Sequence, residues 1–221
     1  MVVPQQVDTL IFNDVHLRSR VCRADALLVM LDDFVCNRIV LNGDIFDDLK
    51  FHKLPRSHTK VVARIESLSK ACEVVWVQGN HDKEYIGIPE YFWEYNREKY
   101  LAIHGDSFDD IHKQNPLLAN FGDIVYRAAQ VILTHERPLA RNIKARNKRW
   151  LQASQIIARG AAEYAHTVGA KYVFCGHTHR AMHSSFPDLG VEYYNSGCWT
   201  DIPSTCITVS KQGIEIHEYR S

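Results

Sequence analysis

Cysteine pairs, a surplus of charge and long hydrophobic runs are all missing from this sequence. No run reaches the roughly 18 consecutive apolar residues that a spanning helix needs, so no membrane span is expected. The opening residues, Met1-Val2-Val3-Pro4-Gln5-Gln6, lack a basic stretch leading into an apolar one, and no signal peptide is expected. The 26 basic residues are balanced by 26 acidic ones. That balance argues against a globally basic nucleic-acid binder while leaving room for a local patch. Six cysteines, at 22, 36, 72, 175, 198 and 206, form no C-x-x-C pair and suggest no zinc knuckle. Several sit in apolar runs, such as Cys175 in Tyr-Val-Phe-Cys. They read as buried reduced thiols, which points to the cytoplasm. No internal repeat or low-complexity segment is present.

What is there suits one layered domain. The 221 residues, 46% of them hydrophobic, suffice for one sizeable core and not for two. Val7–Phe12 reads as a first strand and Ala24–Val35 as an amphipathic helix with Leu27, Leu28, Leu31 and Phe34 on one face. Arg38–Leu41 is a second strand. Thr59 is expected to cap a helix running to about Ala71, with Val62, Ile65 and Leu68 inward. Glu73–Val77 and Tyr100–Ile103 follow as strands. The stretch from about Asn115 to His166 has helical period and a break near Arg137-Pro138. Lys171–Cys175, Val191–Asn195, Thr205–Ser210 and Ile214–Tyr219 close the chain as strands, with Gln212-Gly213 as the turn between the last two. This order predicts an α/β sandwich over residues 1–221, flanked by helices, with a helical insertion at about 112–167.

The chemistry is concentrated where strands end. Asn13-Asp14-Val15-His16 follows the first strand, Gly43-Asp44 the second and Gly79-Asn80-His81-Asp82 the third. His104-Gly105-Asp106 follows the fourth and Gly176-His177-Thr178-His179 the fifth. Open α/β sheets bind ligands beyond the carboxyl ends of their strands, so five such clusters are expected to converge. Carboxylate and amide oxygens together with imidazoles suit Mn²⁺, Fe²⁺ or Zn²⁺. Two such cations about 3.5–4 Å apart clamp both oxygens of an in-line phosphoryl displacement. Taken singly, each cluster has an ordinary structural explanation; the order of all five carries the reading.

That order, D-x-H, G-D, G-N-H-D, a lone His and G-H-x-H, resembles the calcineurin-like metallophosphoesterase family over roughly Asp8 to Asn195. The resemblance implies that family's β-sandwich and a centre of two divalent metals, Mn first, with Fe or Zn as alternatives. Asp14, His16, Asp44 and His179 would hold one metal. Asp44, Asn80, His104 and His177 would hold the other, with Asp44 bridging. His81 would protonate the leaving oxygen or stabilise the transition state, and Asp82 would orient it. Asn13 and Val15 depart from the residues common at their positions, and neither change removes a ligand.

A narrower resemblance, to the UDP-2,3-diacylglucosamine hydrolase-like group, rests on three features. These are Ser107-Phe108-Asp109 after His104-Gly105-Asp106, the helical insertion, and Tyr194-Asn195-Ser196-Gly197-Cys198-Trp199-Thr200-Asp201 near the end. It implies a phosphodiester or pyrophosphate bond in a nucleotide- or lipid-linked substrate. The hydrolase proper usually carries Arg where His81 stands.

Within the insertion, Arg137, Arg141, Lys144 and Lys148 share one helical face. That face reads either as solvated or as a site for an anionic headgroup, with peripheral contact at the inner membrane face. Arg141 and Lys144 are candidate substrate contacts, as is Arg180, whose fork suits oxyanions. Asp47 and Asp48 either shape the substrate entrance or are turn residues. Trp199 and Tyr194 either pack in the core or stack on a base or sugar. No nucleic-acid partner and no obligate protein partner are expected. The alternative functions are a phosphatase of phosphoproteins or small nucleotides, and a non-catalytic scaffold, which should lack a metal ligand or His81.

Overall fold

The computed structural model describes residues 3–47, 53–84, 87–109 and 148–220. Among them are ten strands and three α-helices. In chain order these are β1 (Gln5–Phe12), α1 (Ala24–Asp33), β2 (Phe34–Asn42), α2 (Arg56–Leu68), β3 (Glu73–Val77), β4 (Glu90–Tyr95), β5 (Glu98–Ile103), α3 (Lys148–Thr167), β6 (Tyr172–Cys175), β7 (Met182–Phe186), β8 (Val191–Asn195), β9 (Ser204–Ser210) and β10 (Gly213–Tyr219). They form two five-stranded sheets, in the orders β10-β9-β1-β2-β3 and β4-β5-β6-β8-β7. In the first sheet β1, β2 and β3 run parallel; in the second β5, β6 and β8 do.

Alternation along the strands builds the layers. Leu10 and Phe12 of β1 and Ile39 and Leu41 of β2 join a cluster with Leu27, Met30 and Leu31 of α1 and Val61 and Ile65 of α2. The intervening Ile11 and Val40 face the other way, into a cluster with Trp93, Tyr100, Ala102 and Phe174 of the second sheet. On β6, Val173 and Cys175 pack with Ala158, Ala161, Ala162 and Ala165 of α3, while Phe174 faces between the sheets. Strands buried on both faces read as continuous apolar runs, which is why β1, β2 and β6 were recognisable in the sequence. The result is the α/β sandwich that the sequence predicts.

Several boundaries differ from expectation. Phe34 and Val35 belong to β2 and not to α1; Phe34 is extended, with φ −126° and ψ 142°. Its ring still packs into the helix-side cluster, so its apolar character fitted both periods. Helix α2 starts at Arg56, after Pro55. Thr59 therefore lies inside the first turn, and its hydroxyl donates back to Pro55 O at 3.2 Å. Strands β4 and β7 were not anticipated. Gly213 opens β10, leaving Lys211 and Gln212 as the turn.

The part of the expected insertion up to residue 147, including Arg137, Arg141 and Lys144, lies outside the described residues. From Lys148 the chain is helical to Thr167. No described helix is long and apolar enough to cross a membrane.

Candidate metal centre

Parallel strands from both sheets deliver their carboxyl ends to one place. Asp14 and His16 follow β1, Asp44 follows β2, Asn80 and His81 follow β3, His104 follows β5, and His177 and His179 follow β6. The loops are bonded to one another through the main chain. Asp14 N–H donates to Gly43 O at 3.1 Å, His16 N–H to Asp44 O at 3.0 Å, and Gly176 N–H to His104 O at 2.9 Å. Asp14 Oδ2 accepts the N–H of His177 at 2.9 Å, and Asp44 Oδ1 accepts that of His81 at 2.8 Å.

These turns are sharp. Asp14, His16, Asp44, His177 and His179 have φ of 49°, 50°, 52°, 63° and 56°. A non-glycine residue in this left-handed region costs on the order of 1 kcal/mol, and such residues persist only where the surroundings fix them. Five of the seven expected ligands are held in this way.

The donor atoms form two halves that meet at Asp44. In one half Asp14 Oδ1 lies 3.1 Å from His179 Nε2, and His16 Nε2 lies 3.3 Å from His179 Nε2. In the other, Asn80 Oδ1 lies 3.1 Å from His177 Nδ1. Asp44 Oδ2 stands between the halves, 3.9 Å from His16 Nε2 and 3.5 Å from His104 Nε2. Ligand atoms about 2.1 Å from one cation at ordinary coordination angles lie about 3.0–3.5 Å apart; four of these five spacings fall in that range, and the Asp44–His16 distance of 3.9 Å is longer. Asp14 Oδ1 and His104 Nε2 are buried and find no hydrogen-bond partner among the described residues. Both residues belong to groups whose donor atoms lie within 4.8 Å of one another. The donor set therefore fits divalent metals.

The electrostatics agree. Burial disfavours a charged His16, but the neighbouring carboxylates of Asp14, Asp47 and Asp44 outweigh it and raise its pKa to about 10. His104 is likewise disfavoured by burial and raised to about 10, chiefly by Asp44. Burial opposes ionisation of Asp14 and Asp44, yet the neighbouring imidazoles bring both well below the usual carboxylate range. In the metal-free chain, buried imidazolium and carboxylate groups neutralise one another; a divalent cation would take the place of the protons.

The expected catalytic residues sit differently from each other. The His81 side chain is 20% exposed, Nε2 lies 4.0 Å from Asp44 Oδ2, and Nδ1 lies 3.3 Å from Asp47 O. Asp82 is fully buried, and its carboxylate accepts N–H groups of the main chain. These come from Gly79 at 2.8 Å and Ile45 at 2.7 Å. Asp82 thus pins the β2 and β3 loops together, while Asp47 O and Asp44 Oδ2 lie near the two nitrogens of the His81 ring. The role expected for Asp82 was to orient His81; the contacts described for its carboxylate are with the main chain.

Two carboxylates that sequence reasoning did not count as site residues touch ligand imidazoles. Asp47 Oδ1 is 3.3 Å from His16 Nδ1, and Asp109 Oδ2 is 2.9 Å from His177 Nε2. Arg180 follows His179 directly, with its guanidinium 5.9 Å from the Trp150 ring centroid on α3. Trp199 is fully buried in the helix-side core, and Tyr194 stacks on His183 with centroids 4.4 Å apart. Arg141, Lys144 and Asp48 lie outside the described residues.

Residues 8–181 match the family model described as calcineurin-like phosphoesterase. No curated protein matches the chain. Among solved structures, a single mutant of Vps29 from Entamoeba histolytica is 13% identical, covering 95% of this chain and 97% of that one, with a TM-score of 0.52. Vps29 from Chaetomium thermophilum is 10% identical over 97% of both chains, with a TM-score of 0.52. Vacuolar protein sorting 29 from Cryptosporidium parvum is 11% identical over 97% of this chain and 99% of that one, with a TM-score of 0.50. At these identities the likeness is one of fold.

Proposed function

The chain belongs to the calcineurin-like phosphoesterase family, and from that premise we propose that it hydrolyses a phosphodiester or pyrophosphate bond at a centre of two divalent metals. The observation that carries this reading is Asp44 Oδ2, which stands between His16 and His104 where a carboxylate can serve both halves. A scaffold of the same fold has no need of a complete donor set and should lack a ligand or His81; this sequence carries all seven expected ligands and His81, which supports the catalytic reading. Bound metals, with Mn²⁺ the first candidate and Fe²⁺ or Zn²⁺ the others, would neutralise charge on the phosphoryl oxygens and make water more acidic.

The chain's own residues do the rest. Asp14, His16, Asp44 and His179 would hold one metal; Asp44, Asn80, His104 and His177 would hold the other. His81 presents Nε2 toward the centre and would give its proton to the leaving oxygen as the phosphorus–oxygen bond breaks; water would add to phosphorus, release a proton to solvent, and His81 would be reprotonated from solvent. Asp82 keeps the loops bearing Asp44 and His81 in register.

For the substrate, we infer a nucleotide- or lipid-linked phosphate. Arg180 and the basic residues Arg141 and Lys144 would contact its anionic portion, in the cytoplasm or at the inner membrane face. The support is the run from 137 to 149, which contains no acidic residue. The test is a screen with added Mn²⁺ against nucleotide-sugar lipids, cyclic nucleotides, bis-nucleotides and phosphopeptides, with and without chelator. The expected result is hydrolysis abolished by chelator and restored by Mn²⁺. A chain that binds no divalent metal would falsify the two-metal reading.

For the finer reading, Arg141→Glu with Lys144→Glu should raise KM for a lipid-linked substrate at low salt and leave kcat nearly unchanged. The effect should fade with added salt. Hydrolysis of phosphopeptides or free nucleotides alone would favour the phosphatase alternative.

A further inference from the structure

Three imidazoles at the centre share one arrangement: one ring nitrogen faces the other donors and the second faces an oxygen. His104 turns Nε2 toward Asp44 and sets Nδ1 3.0 Å from the main-chain O of Asn42. His16 turns Nε2 toward His179 and sets Nδ1 3.3 Å from Asp47 Oδ1. His177 is reversed. Its Nδ1 faces Asn80 Oδ1 at 3.1 Å, and its Nε2 meets Asp109 Oδ2 at 2.9 Å. A neutral imidazole carries one N–H and one lone pair, and an acceptor on the outward nitrogen keeps the lone pair inward.

We propose that Asp109 is a positioning residue of the metal centre: it accepts the Nε2–H of His177, fixes that tautomer and ring orientation, and so presents Nδ1 to the metal shared with Asn80. The proposal rests on the two-metal reading above. Several features single out this carboxylate. It is 7% exposed, and a buried carboxylate is costly unless it is paired and hydrogen-bonded. It is a carboxyl group where the acceptor behind His104 is a main-chain carbonyl, and a carboxylate partner makes an imidazole a stronger donor to metal.

Its placement is built into the chain. After His104 the main chain turns at Gly105, with φ 106°, into a single 3-10 turn over Asp106–Phe108. Phe108 N–H donates to Gly105 O and Asp109 N–H to Asp106 O, each at 3.1 Å. One short segment therefore supplies a ligand, His104, and backs another, His177. The backbone of His177 is already fixed by its left-handed φ of 63° and its N–H bond to Asp14 Oδ2. Ring rotation is the freedom left for Asp109 to remove.

The experiment is calorimetric titration of the metal-free chain with Mn²⁺ and with Zn²⁺, for wild type, Asp109→Asn, Asp109→Ala, His177→Ala and the His177→Ala/Asp109→Ala double variant. Circular dichroism checks folding, and Asp109→Asn, of nearly the same shape, serves if Asp109→Ala does not fold. Wild type should bind two equivalents. Asp109→Ala should weaken one of them by about 10–100-fold, the usual cost of losing an outer partner of a ligand histidine, and leave the other unchanged. Asp109→Asn, which can still accept the Nε2–H through its amide oxygen, should fall between. If Asp109 acts through His177, the double variant should bind no more weakly than His177→Ala alone. In the Zn²⁺-loaded wild type the His177 Nε2–H should give an exchange-protected proton resonance that Asp109→Ala abolishes. Two equivalents bound with unchanged affinity in both Asp109 variants overturn the proposal. A further loss in the His177→Ala background overturns it too, because Asp109 would then be a ligand itself. A wild-type chain that binds fewer than two ions overturns the two-metal reading and this proposal together.

Discussion

The main-chain N–H of His81 donates to Asp44 Oδ1 at 2.8 Å. That bond sets the carboxylate's rotation and turns Oδ2 toward His16 and His104. Removing the carboxylate therefore removes the oxygen that stands between the two halves. Asp44→Ala should cost both metal equivalents and all metal-dependent hydrolysis, whereas His177→Ala should weaken mainly one. Elemental analysis after dialysis distinguishes these cases. Two tightly held ions in Asp44→Ala would show that the carboxylate does not bridge.

Close packing behind the ligands gives a second prediction. A Cβ at Gly79 would collide with the backbone N and side chain of Asp44, and one at Gly176 with Asn13 and Asp14. Neither glycine has a left-handed φ, so space and not backbone freedom is what demands glycine here. Gly79→Ala and Gly176→Ala should each destabilise the fold by about 1–3 kcal/mol, the usual cost of overpacking. Each should also weaken metal binding, because the ligand carboxylates must move. Denaturant midpoints together with metal titration check this; wild-type values for both would mean that the loops yield without strain.

The five clusters were legible because each sits at the end of a strand whose apolar run marks it, and the sheet rule brings such ends together. Strand β4 was not legible, because its hairpin to β5 turns at Asn96 and Arg97, with φ of 51° and 65°. A turn with two left-handed residues usually announces itself with glycine, and this one does not. Among the described strands β7 pairs only with β8, at a sheet edge, and needs little apolar patterning.

The partners of the imidazoles were hidden for another reason. The family pattern pairs Asp82 with its sequence neighbour His81. In the structure Asp47, brought from the β2 loop, sets its main-chain O 3.3 Å from His81 Nδ1, and Asp109 reaches His177 from 68 residues away. Sequence adjacency says little about such contacts when every loop turns sharply.

Stability should depend on pH through two histidines remote from the ligand set. Burial lowers the pKa of His58, with Asp25 opposing, and that of His217, with Glu215 opposing. His58 Nδ1 accepts the N–H of Arg18 at 2.7 Å, and His217 Nε2 lies 2.7 Å from Thr208 Oγ1. The unfolded chain binds these protons more readily than the folded one. Their stabilising contribution is therefore complete above an unfolded pKa of about 6.5 and is lost as pH falls below it. His16 and His104, whose pKa values are raised, act in the opposite sense over this range. Between pH 7 and 5 the metal-free wild type should therefore lose stability relative to His58→Gln and to His217→Gln, read as urea midpoints. An identical pH dependence in wild type and both variants would overturn the assignment.

His81 separates chemistry from metal retention. Its ring stands edge-on to His16, with centroids 4.9 Å apart, and its side chain is more exposed than those of His16 and His104. The donor atoms of His16, Asp44 and His81 also lie within 4.8 Å of one another, and the His81→Ala variant separates a proton donor from a ligand. As a general acid, His81 gives a proton to the departing oxygen, and His81→Ala should lower kcat by about 10²–10⁴-fold with metal content close to wild type. The loss should shrink for a nitrophenyl ester, whose leaving group needs little protonation. Rates for a series of esters with graded leaving-group acidity, paired with elemental analysis, provide the measurement. The wild-type rates should depend only weakly on leaving-group pKa and those of the variant steeply. Equal losses across the series would rule out proton donation, and a missing metal equivalent in His81→Ala would make the ring a ligand.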